Sequence, residues 1–423
     1  MSEAVRIGVA GLGTVGATVA ARLLQGAVPN AQLVAVSARD ASRDRGVDLT
    51  AQRFETDPMA LVSDDVDVVV ELMGGADGAA LALVEAALQA GKPVVTANKA
   101  MLAAHADKLS ALSSGGHVPL AFEAAVAGGI PIIKTLREGL AGNEVHRLSG
   151  ILNGTCNYIL SRMEAAGLSF DDALKEAQEL GYAEADPFLD VSGTDAGQKL
   201  AILSALAYGV APDMAHISVT GIEAVSAQDI AFAGQFDSVI RLVAVAERRG
   251  NGVFHRVTPM LVRQSDTLAN VCNELNAVSL QAEPVGQLFM QGPGAGGGAT
   301  ASAVLADIAD IANGFGRPLF ARATSDMTES ATRIAPESEY YIRLSLADKP
   351  GSMAQATQIL AENGVSIEEV VQRSSEAGDS FLPVVFITHQ CAAEALVAAI
   401  AALEGQTEFC KAVLALPVYA DDA

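Results

Sequence analysis

The sequence contains no tryptophan, few aromatic residues and only 27 basic residues in 423 positions. This shortage of basic residues leaves a formal net charge of −23, and such a chain repels phosphate backbones and anionic lipid headgroups. No apolar run approaches the roughly 18 residues that span a bilayer, and residues 1–10 lack the basic start and cleavage site of a signal peptide. We therefore expect a soluble, cytoplasmic protein with neither nucleic-acid nor membrane partners.

Cysteine and histidine patterns are also sparse. The four cysteines (Cys156, Cys272, Cys391 and Cys410) form no CxxC pair, which is typical of reduced thiols. The six histidines show no HxxxH spacing, so transition-metal chemistry is not expected.

The length and the 50% hydrophobic content predict two or three domains with large cores. In the first part of the chain, strands over 5–10, 33–37, 67–72 and 93–96 alternate with helices over 14–25 and 78–90. Near-continuous aliphatic strands that alternate with helices are typical of a parallel, doubly wound sheet.

From about residue 118 the pattern predicts a second, α+β domain. We expect strands over 118–123 and 146–152, and helices over 131–138, 156–166, 170–180 and 195–208. Mixed strands and helices should follow over 215–290, and a helix over 300–312 after the glycine-dense segment 292–298. Further on, strands and helices in the order βαββαβ over 340–416 predict a compact ferredoxin-like domain, with Ser352 and Gln355 as a helix capping box.

The first expected domain is the doubly wound one, residues 1–130, completed by about 292–320. The second, residues 131–320, is expected to serve substrate binding and dimerisation. A polar linker over 321–338 and a C-terminal domain over 339–423 follow. This is an α/β chain.

The first candidate site is the loop between the first strand and the first helix, Gly11-Leu12-Gly13-Thr14-Val15-Gly16. A lone GxGxxG motif is weak evidence, but its place inside a βαβ unit is the context of a dinucleotide-binding, Rossmann-type domain. The glycines allow a tight turn, and the helix N-terminus offers N–H groups to a pyrophosphate. We predict that a nicotinamide dinucleotide binds here.

The end of the second strand bears on the choice of dinucleotide. An NAD site usually has Asp or Glu there, whereas this chain has Ser37-Ala38-Arg39, with Asp40 one step into the loop. Arg39 with Arg43 and Arg45 could hold a 2′-phosphate, so the pattern favours NADP and leaves NAD open.

A carboxylate-rich stretch, 181–199, is the candidate catalytic segment. Asp195 and Lys199 are four residues apart on a predicted helix and share one face. Glu184 and Asp190 precede them in an irregular loop. Carbonyl reduction needs a proton donor, which a lysine supplies, and an amino-acid substrate needs carboxylates for its ammonium group.

Together these motifs resemble those of homoserine dehydrogenases. The resemblance covers nearly the whole chain and rests on the glycine loop and on the segments 96–99 (TANK), 123–131 (EAAVAGGIP), 150–155 (GILNGT), 181–199 and 294–296 with Thr300. The C-terminal domain resembles an ACT domain, an amino-acid-sensing module.

The resemblance implies reversible NAD(P)-dependent interconversion of L-aspartate 4-semialdehyde and L-homoserine by a homodimer or homotetramer. It makes Lys199 the proton donor and Asp195 the residue that positions the reacting oxygen. Substrate-binding residues would be Glu184, Asp190, Thr155 and Tyr182, and Lys99 and Gly296 would lie beside the cofactor.

The same resemblance implies two further sites. Glu123, Val126, Gly128 and Ile130 match the family's loop for a monovalent cation, Na⁺ or K⁺. Hard cations prefer such oxygen ligands. In the ACT domain, Asp348, Gly351 and Asn363 match the usual effector-binding edge, so we expect inhibition by threonine.

Two alternatives stay open at this stage. The chain could be an aspartate-semialdehyde dehydrogenase that uses Cys156 as a nucleophile, although no adjacent histidine base is present. It could also be a non-enzymatic dinucleotide-binding regulator.

Overall fold

The computed structural model describes residues 4–250, 252–320, 327, 330–372 and 380–420. Its N-terminal domain is a six-stranded parallel sheet in the order β3-β2-β1-β4-β5-β6. The elements are β1 (Val5–Ala10), α1 (Thr14–Leu24), β2 (Ala31–Ser37), β3 (Arg53–Glu55), β4 (Val68–Glu71), α2 (Ala79–Gln89), β5 (Val94–Thr96), α3 (Lys99–Ala104), α4 (Ala106–Gly116) and β6 (Leu120–Ala121). All four β4 residues are buried, as expected for a strand with helices on both faces. The predicted doubly wound sheet is confirmed.

One predicted strand in this region was wrong in its length. The strand expected over 118–123 is only Leu120–Ala121, because the chain turns into a short 3₁₀ helix at Glu123–Ala125. The turn buries Glu123 instead of leaving it at a strand end.

The central domain is an antiparallel sheet in the order β12-β11-β7-β9-β10, with helices α6 and α9 packed against β9. Its elements are α5 (Ile132–Lys134, continued by a π-helical turn, Thr135–Gly139), β7 (Glu144–Ile151), α6 (Gly154–Ala166), α7 (Phe170–Glu179), α8 (Phe188–Val191), α9 (Thr194–Tyr208), β8 (Ser218–Val219), α10 (Ala227–Ala233), β9 (Ser238–Arg249), β10 (Gly252–Arg263), β11 (Leu275–Glu283), β12 (Gly286–Pro293) and α11 (Gly297–Ala312). Eleven of the fifteen α9 residues are buried, Asp195 and Lys199 among them.

Helix α11 leaves the central domain and packs on the N-terminal one. Its buried residues Ala301, Val304 and Ile308 share a hydrophobic cluster with Val19 and Leu23 of α1. The glycine-dense segment before α11 is therefore brought against the glycine loop of residues 11–16.

The C-terminal domain has the predicted βαββαβ order. It consists of β14 (Tyr340–Ala347), α12 (Ser352–Glu362), β15 (Ile367–Gln372), β16 (Phe381–Thr388), α13 (Ala393–Glu404) and β17 (Cys410–Tyr419), and is preceded by β13 (Ser330–Thr332), which pairs with β10. The predicted capping box is wrong. The N-cap of α12 is Gly351 at φ +95° with no side-chain hydrogen bond, and Ser352 is already the first helical residue. Parts of the predicted linker and ACT domain, 321–326, 328–329, 373–379 and 421–423, lie outside the described residues.

The central and C-terminal sheets are continuous. Strand β17 pairs with β14, and its end pairs with β10 through Val418 opposite Leu261 and Tyr419 opposite Val262. Tyr419 Oη lies 2.7 Å from Ser149 Oγ on β7, in a buried hydrogen bond. Arg343 also forms an ion pair of 2.5 Å with the buried Asp229 of α10. The C-terminal domain is thus joined to β7, the strand that leads into α6.

Candidate active site

The first glycine loop has the geometry of a phosphate cradle. Gly11 has φ +93°, and a Cβ there would lie 2.5 Å from Leu72 O. A Cβ on Gly16 would lie 1.9 Å from Gly11 O, so the turn is too tight for any side chain at either position. At Gly13, the N-cap of α1, nothing lies within 4 Å of an added Cβ, and the first turn has no acidic residue. The N-terminus of α1, with Thr14 and Val15 as its first two residues, is therefore open to an anion.

The second glycine segment lies against this loop. Gly296 is the N-cap of α11 at φ +107°, and a Cβ on Gly297 would lie 2.8 Å from Thr14 Cγ2. The two helix N-termini, of α1 and α11, therefore meet at the carboxyl edge of the parallel sheet, where such sheets bind ligands.

The end of β2 lacks a carboxylate aimed at a ribose. Ser37 is buried and Arg39 is exposed. The Asp40 carboxylate instead accepts from the Ser42 N–H at 2.8 Å and from Ser42 Oγ at 2.6 Å. These bonds lower the pKa of Asp40 and turn it back onto its own loop.

The catalytic candidates meet in one buried ion-pair cluster. Lys199 Nζ donates to Asp195 Oδ2 at 2.7 Å and to the Leu152 carbonyl at 2.6 Å. Lys99, the first residue of α3 in the nucleotide-binding domain, places its Nζ 3.0 Å from Asp195 Oδ1. Burial alone would raise the pKa of Asp195, but the two lysines outweigh it and hold that pKa well below its usual range. Asp195 therefore stays ionised between two ammonium groups.

Asn153 ties Asp190 to this cluster. Its Nδ2 donates to Asp190 Oδ1 at 2.8 Å and to Asp195 Oδ2 at 2.9 Å, while its Oδ1 caps α6 by accepting from Cys156 N. Burial raises the pKa of Asp190, and the hydrogen bond from Asn153 opposes that rise. Asn153 is not among the site residues predicted from the sequence, although an asparagine shortly before a predicted helix is a signal for an N-cap.

The remaining substrate candidates lie at the rim. Thr155 is buried and donates to the Tyr182 carbonyl at 2.8 Å, and the Tyr182 ring packs on Tyr158 with centroids 4.8 Å apart. Glu184 is exposed, and within the described ranges its carboxylate has no hydrogen bond or ion pair. The structure thus brings Lys199, Asp195 and Asp190 together and leaves Glu184 apart from them.

The candidate cation loop is a buried turn. Glu123, Val126 and Ile130 are nearly fully buried, and a Cβ on Gly128 (φ +42°) would lie 2.5 Å from Gly294 O. The two Glu123 carboxylate oxygens accept from Ile133 N and Lys134 N, each at 2.9 Å. Burial raises the pKa of Glu123, and these bonds oppose the rise. Each carboxylate oxygen keeps a lone pair, and a site here would depend on backbone carbonyls. The described residues contain no group of three or more His, Cys, Asp or Glu placed to hold a metal.

The three effector candidates are divided between the two ends of α12. Asp348 and Gly351 precede the helix, whereas Asn363 is its C-cap. An eleven-residue helix is about 16 Å long, so the three residues do not form one site within a single chain.

Two buried groups that sequence analysis missed support the site. Glu71, at the end of β4, accepts from Thr96 Oγ1 at 2.6 Å and from Met73 N at 2.7 Å, which fixes the β5 end that leads to Lys99. Asn276 on β11 donates to the Leu152 carbonyl at 3.0 Å. The sequence gives no signal for these two residues, because the Glu71–Thr96 and Asn276–Leu152 contacts join segments that are far apart in the chain.

Cys156 has no nucleophilic character here. It is fully buried, its Sγ donates to Asp190 O at 3.1 Å, and burial raises its pKa well above the ordinary value. A thiol that does not ionise is a poor nucleophile, so the aspartate-semialdehyde dehydrogenase alternative is not supported.

A doubly wound nucleotide-binding domain whose Lys99 reaches a lysine–carboxylate cluster in the next domain defines the class. It is an NAD(P)-dependent oxidoreductase that acts on a CH–OH group.

No helix in the described part of the chain is both long and apolar enough to cross a membrane.

Comparison with known proteins identifies the family. The family models match the homoserine dehydrogenase NAD binding domain over residues 11–123, homoserine dehydrogenase over 131–309 and the ACT domain over 340–405. The chain is 41% identical over 415 residues to homoserine dehydrogenase of Neisseria gonorrhoeae, covering 95% of each chain. It is 38% identical over 426 residues to that of Pseudomonas aeruginosa, again covering 95% of each.

Solved structures agree with these matches. A homoserine dehydrogenase from Thiobacillus denitrificans matches with a TM-score of 0.91 at 36% identity, covering 99% of this chain and 98% of that one. A hyperthermophilic archaeal homoserine dehydrogenase in complex with NADPH matches with a TM-score of 0.64 at 27% identity, covering 74% and 99%. The chain belongs to the homoserine dehydrogenase family and carries a C-terminal ACT domain. The regulator alternative is not supported either.

Proposed function

We propose that Lys199 is the proton donor of aspartate-semialdehyde reduction, and that Asp195 and Lys99 hold it in place. The observation that carries this proposal is the chain of contacts from the partly exposed Lys99 through the buried Asp195 to the buried Lys199, at 3.0 and 2.7 Å. An ammonium has three N–H donors, and two of those on Lys199 are used by Asp195 and the Leu152 carbonyl. The third is left for the substrate oxygen.

A bound nicotinamide dinucleotide supplies or accepts the hydride at C4 of the substrate. Lys199 protonates the oxygen as negative charge develops on it, and in the reverse direction it takes that proton back. Asp190, with Glu184, Thr155 and Tyr182 at the rim, would bind the substrate, the carboxylates taking its ammonium group. Ionised Asp195 orients both lysines, and Lys99 stands where the two domains meet.

NADP is the proposed cofactor. Gly11, Leu12, Gly13, Thr14, Val15 and Gly16 would hold the pyrophosphate, with Gly296 beside it. The Asp40 carboxylate is hydrogen-bonded to Ser42, whereas Arg39, which follows β2, is exposed. A 2′-phosphate would therefore be attracted by the Arg39 guanidinium and would not face the Asp40 carboxylate. We expect Arg39→Ala to reduce the preference for NADPH over NADH ten- to a hundredfold, which is the worth of one charged hydrogen bond. Arg22→Ala, an exposed arginine on α1, is the control, and an unchanged ratio in Arg39→Ala would contradict the assignment.

A monovalent cation, Na⁺ or K⁺, is proposed for the turn of Glu123, Val126, Gly128 and Ile130. The donor set of one carboxylate and backbone carbonyls suits a hard ion of low charge. Turnover compared in sodium, potassium and tetramethylammonium salts at equal ionic strength tests it. Equal rates and equal unfolding temperatures in all three would contradict the site.

Threonine regulation through the ACT domain is also proposed. Its support is the continuous sheet and the Tyr419–Ser149 hydrogen bond, which connect that domain to β7. Asp348, Gly351 and Asn363 are the proposed effector residues, and because they lie at opposite ends of α12, a shared site would combine residues from two copies of the chain. Isothermal titration with threonine, together with initial rates, tests it: no heat and no change in rate would count against it.

We further propose three domains: residues 1–130 completed by 292–320, residues 131–320, and residues 339–423 after a linker. The chain is proposed to form a homodimer or homotetramer and to be cytoplasmic. Sedimentation of the purified chain distinguishes a monomer from these assemblies.

The decisive experiment is turnover by Lys199→Ala. We expect wild-type enzyme to oxidise homoserine with NADP and Lys199→Ala to lose that activity, while Lys175→Ala, which changes an exposed lysine on α7, retains it. Full activity in Lys199→Ala would overturn the mechanism.

A further inference from the structure

One buried polar side chain next to the Lys199 cluster has no part in the mechanism above. Asn276 is 1% exposed. Its Nδ2 donates to the Leu152 carbonyl at 3.0 Å, and the same carbonyl accepts from Lys199 Nζ at 2.6 Å. Its Oδ1 is buried and has no hydrogen-bond partner among the described residues. The amide is therefore separated from Lys199 by one shared oxygen.

The Leu152 carbonyl lies just beyond the sheet ladder. Strand β7 ends at Ile151, which is opposite Ala277 of β11, and Asn153 is already the N-cap of α6. Leu152 is the one residue between the strand and the N-cap of the helix. The Asn276 side chain therefore adds one hydrogen bond between β11 and the residue that follows the last pair of the β7–β11 ladder.

Asn276 also contacts the glycine-dense segment on its other side. A Cβ on Gly294 would lie 2.1–2.4 Å from three atoms of the Asn276 side chain, so only glycine fits there. Five residues after Gly296, the N-cap of α11, the chain is already packed on the N-terminal domain through Ala301. The amide is thus held between the cofactor-side segment and the carbonyl that Lys199 uses.

We propose that Asn276 is a positioning residue for Lys199. It fixes the Leu152 carbonyl, which together with Asp195 engages two of the lysine N–H donors, so that the third faces the substrate. Without the amide the carbonyl loses its anchor, and the ammonium loses a fixed acceptor. This inference rests on the proposed role of Lys199 as proton donor.

The test is the pH dependence of kcat in Asn276→Ala. We expect kcat for aldehyde reduction to fall about tenfold, as for the loss of one hydrogen bond in a transition state. The midpoint of its alkaline limb should move down by about one pH unit, because a Leu152 carbonyl that is no longer held against the ammonium stabilises its charged form less. KM for NADPH should change less than threefold. Asn157→Ala is the matched control: this buried asparagine donates to the Val271, Asn273 and Leu275 carbonyls, so it should lose stability without moving the limb.

A second variant keeps the inference testable if Asn276→Ala does not fold. Gly294→Ala should displace the amide and produce the same alkaline shift, because its Cβ needs the space of the Asn276 side chain. In the double variant the two effects should not add, since both act through one contact.

An unmoved alkaline limb in Asn276→Ala or Gly294→Ala, or additive effects on kcat, overturns the inference. Lys199→Ala separates it from the proposed function. If that variant is inactive while Asn276→Ala has the wild-type profile, only the positioning role fails; if Lys199→Ala is active, the proton-donor role fails.

Discussion

Replacing Asp195 by asparagine keeps the shape of the side chain and removes the charge that two lysines share. In the native site one Asp195 oxygen faces Lys99 at 3.0 Å, and the other accepts from Lys199 at 2.7 Å and Asn153 at 2.9 Å. The side chains of Asp195 and Lys199 are only 9% and 11% exposed, so solvent screens this pair little. Removing one partner of such a buried pair costs about 3 to 5 kcal/mol. Because the same contacts orient the proton donor, kcat should fall about a hundred- to a thousandfold.

The assay is the initial rate of NADPH consumption with aspartate semialdehyde, measured over substrate and cofactor concentrations. We expect the loss in kcat and little change in KM for NADPH, since Asp195 does not touch the glycine loop. Asp213→Asn is the matched control, because that carboxylate is exposed and only caps Ala215 and contacts His216. If Asp195→Asn kept more than a third of the wild-type kcat, the charge would not be what holds Lys199, and our reasoning would be refuted.

Three further outcomes follow from single contacts. Gly16→Ala should abolish measurable NADPH binding in a fluorescence titration or prevent folding, because its Cβ would lie 1.9 Å from Gly11 O; a wild-type Kd would contradict the cradle. Cys156→Ala should keep kcat within about threefold, because the buried thiol is a packing group; an inactive, folded variant would reopen the thioester mechanism. Burial, assisted by the charge of His216, lowers the pKa of His255 from 6.5 to about 4. The unfolded chain therefore takes up this proton first, so stability present above about pH 6.5 is lost as the pH falls towards 4. His255→Leu should remove up to about 3 kcal/mol of that acid sensitivity in urea unfolding at pH 7 and pH 4.5, and an identical pH dependence in both proteins would show that His255 is not its source.

Local patterns determined the parts of this protein that short segments can encode. Strand–glycine–helix order is enough to predict the nucleotide-binding loop, since the tight turn at Gly11 and Gly16 involves only neighbours and the strand end at Leu72. The i, i+4 spacing of Asp195 and Lys199 on α9 likewise needs nothing beyond the helix repeat. The βαββαβ order of the C-terminal domain follows from the same kind of periodicity.

Only the tertiary structure decided which distant groups complete the site. Lys99 and Asp195 are 96 positions apart and meet because α3 packs against α9. Asn276 reaches Leu152 because β11 pairs with β7. Glu184 is exposed, although it precedes the buried cluster closely in the sequence. The pairing of β17 with β10, which joins the C-terminal sheet to the central one, could not be predicted from the sequence either. Hydrogen bonds and ion pairs between remote segments depend on strand register and helix packing, and these are properties of the assembled core and not of any window of sequence.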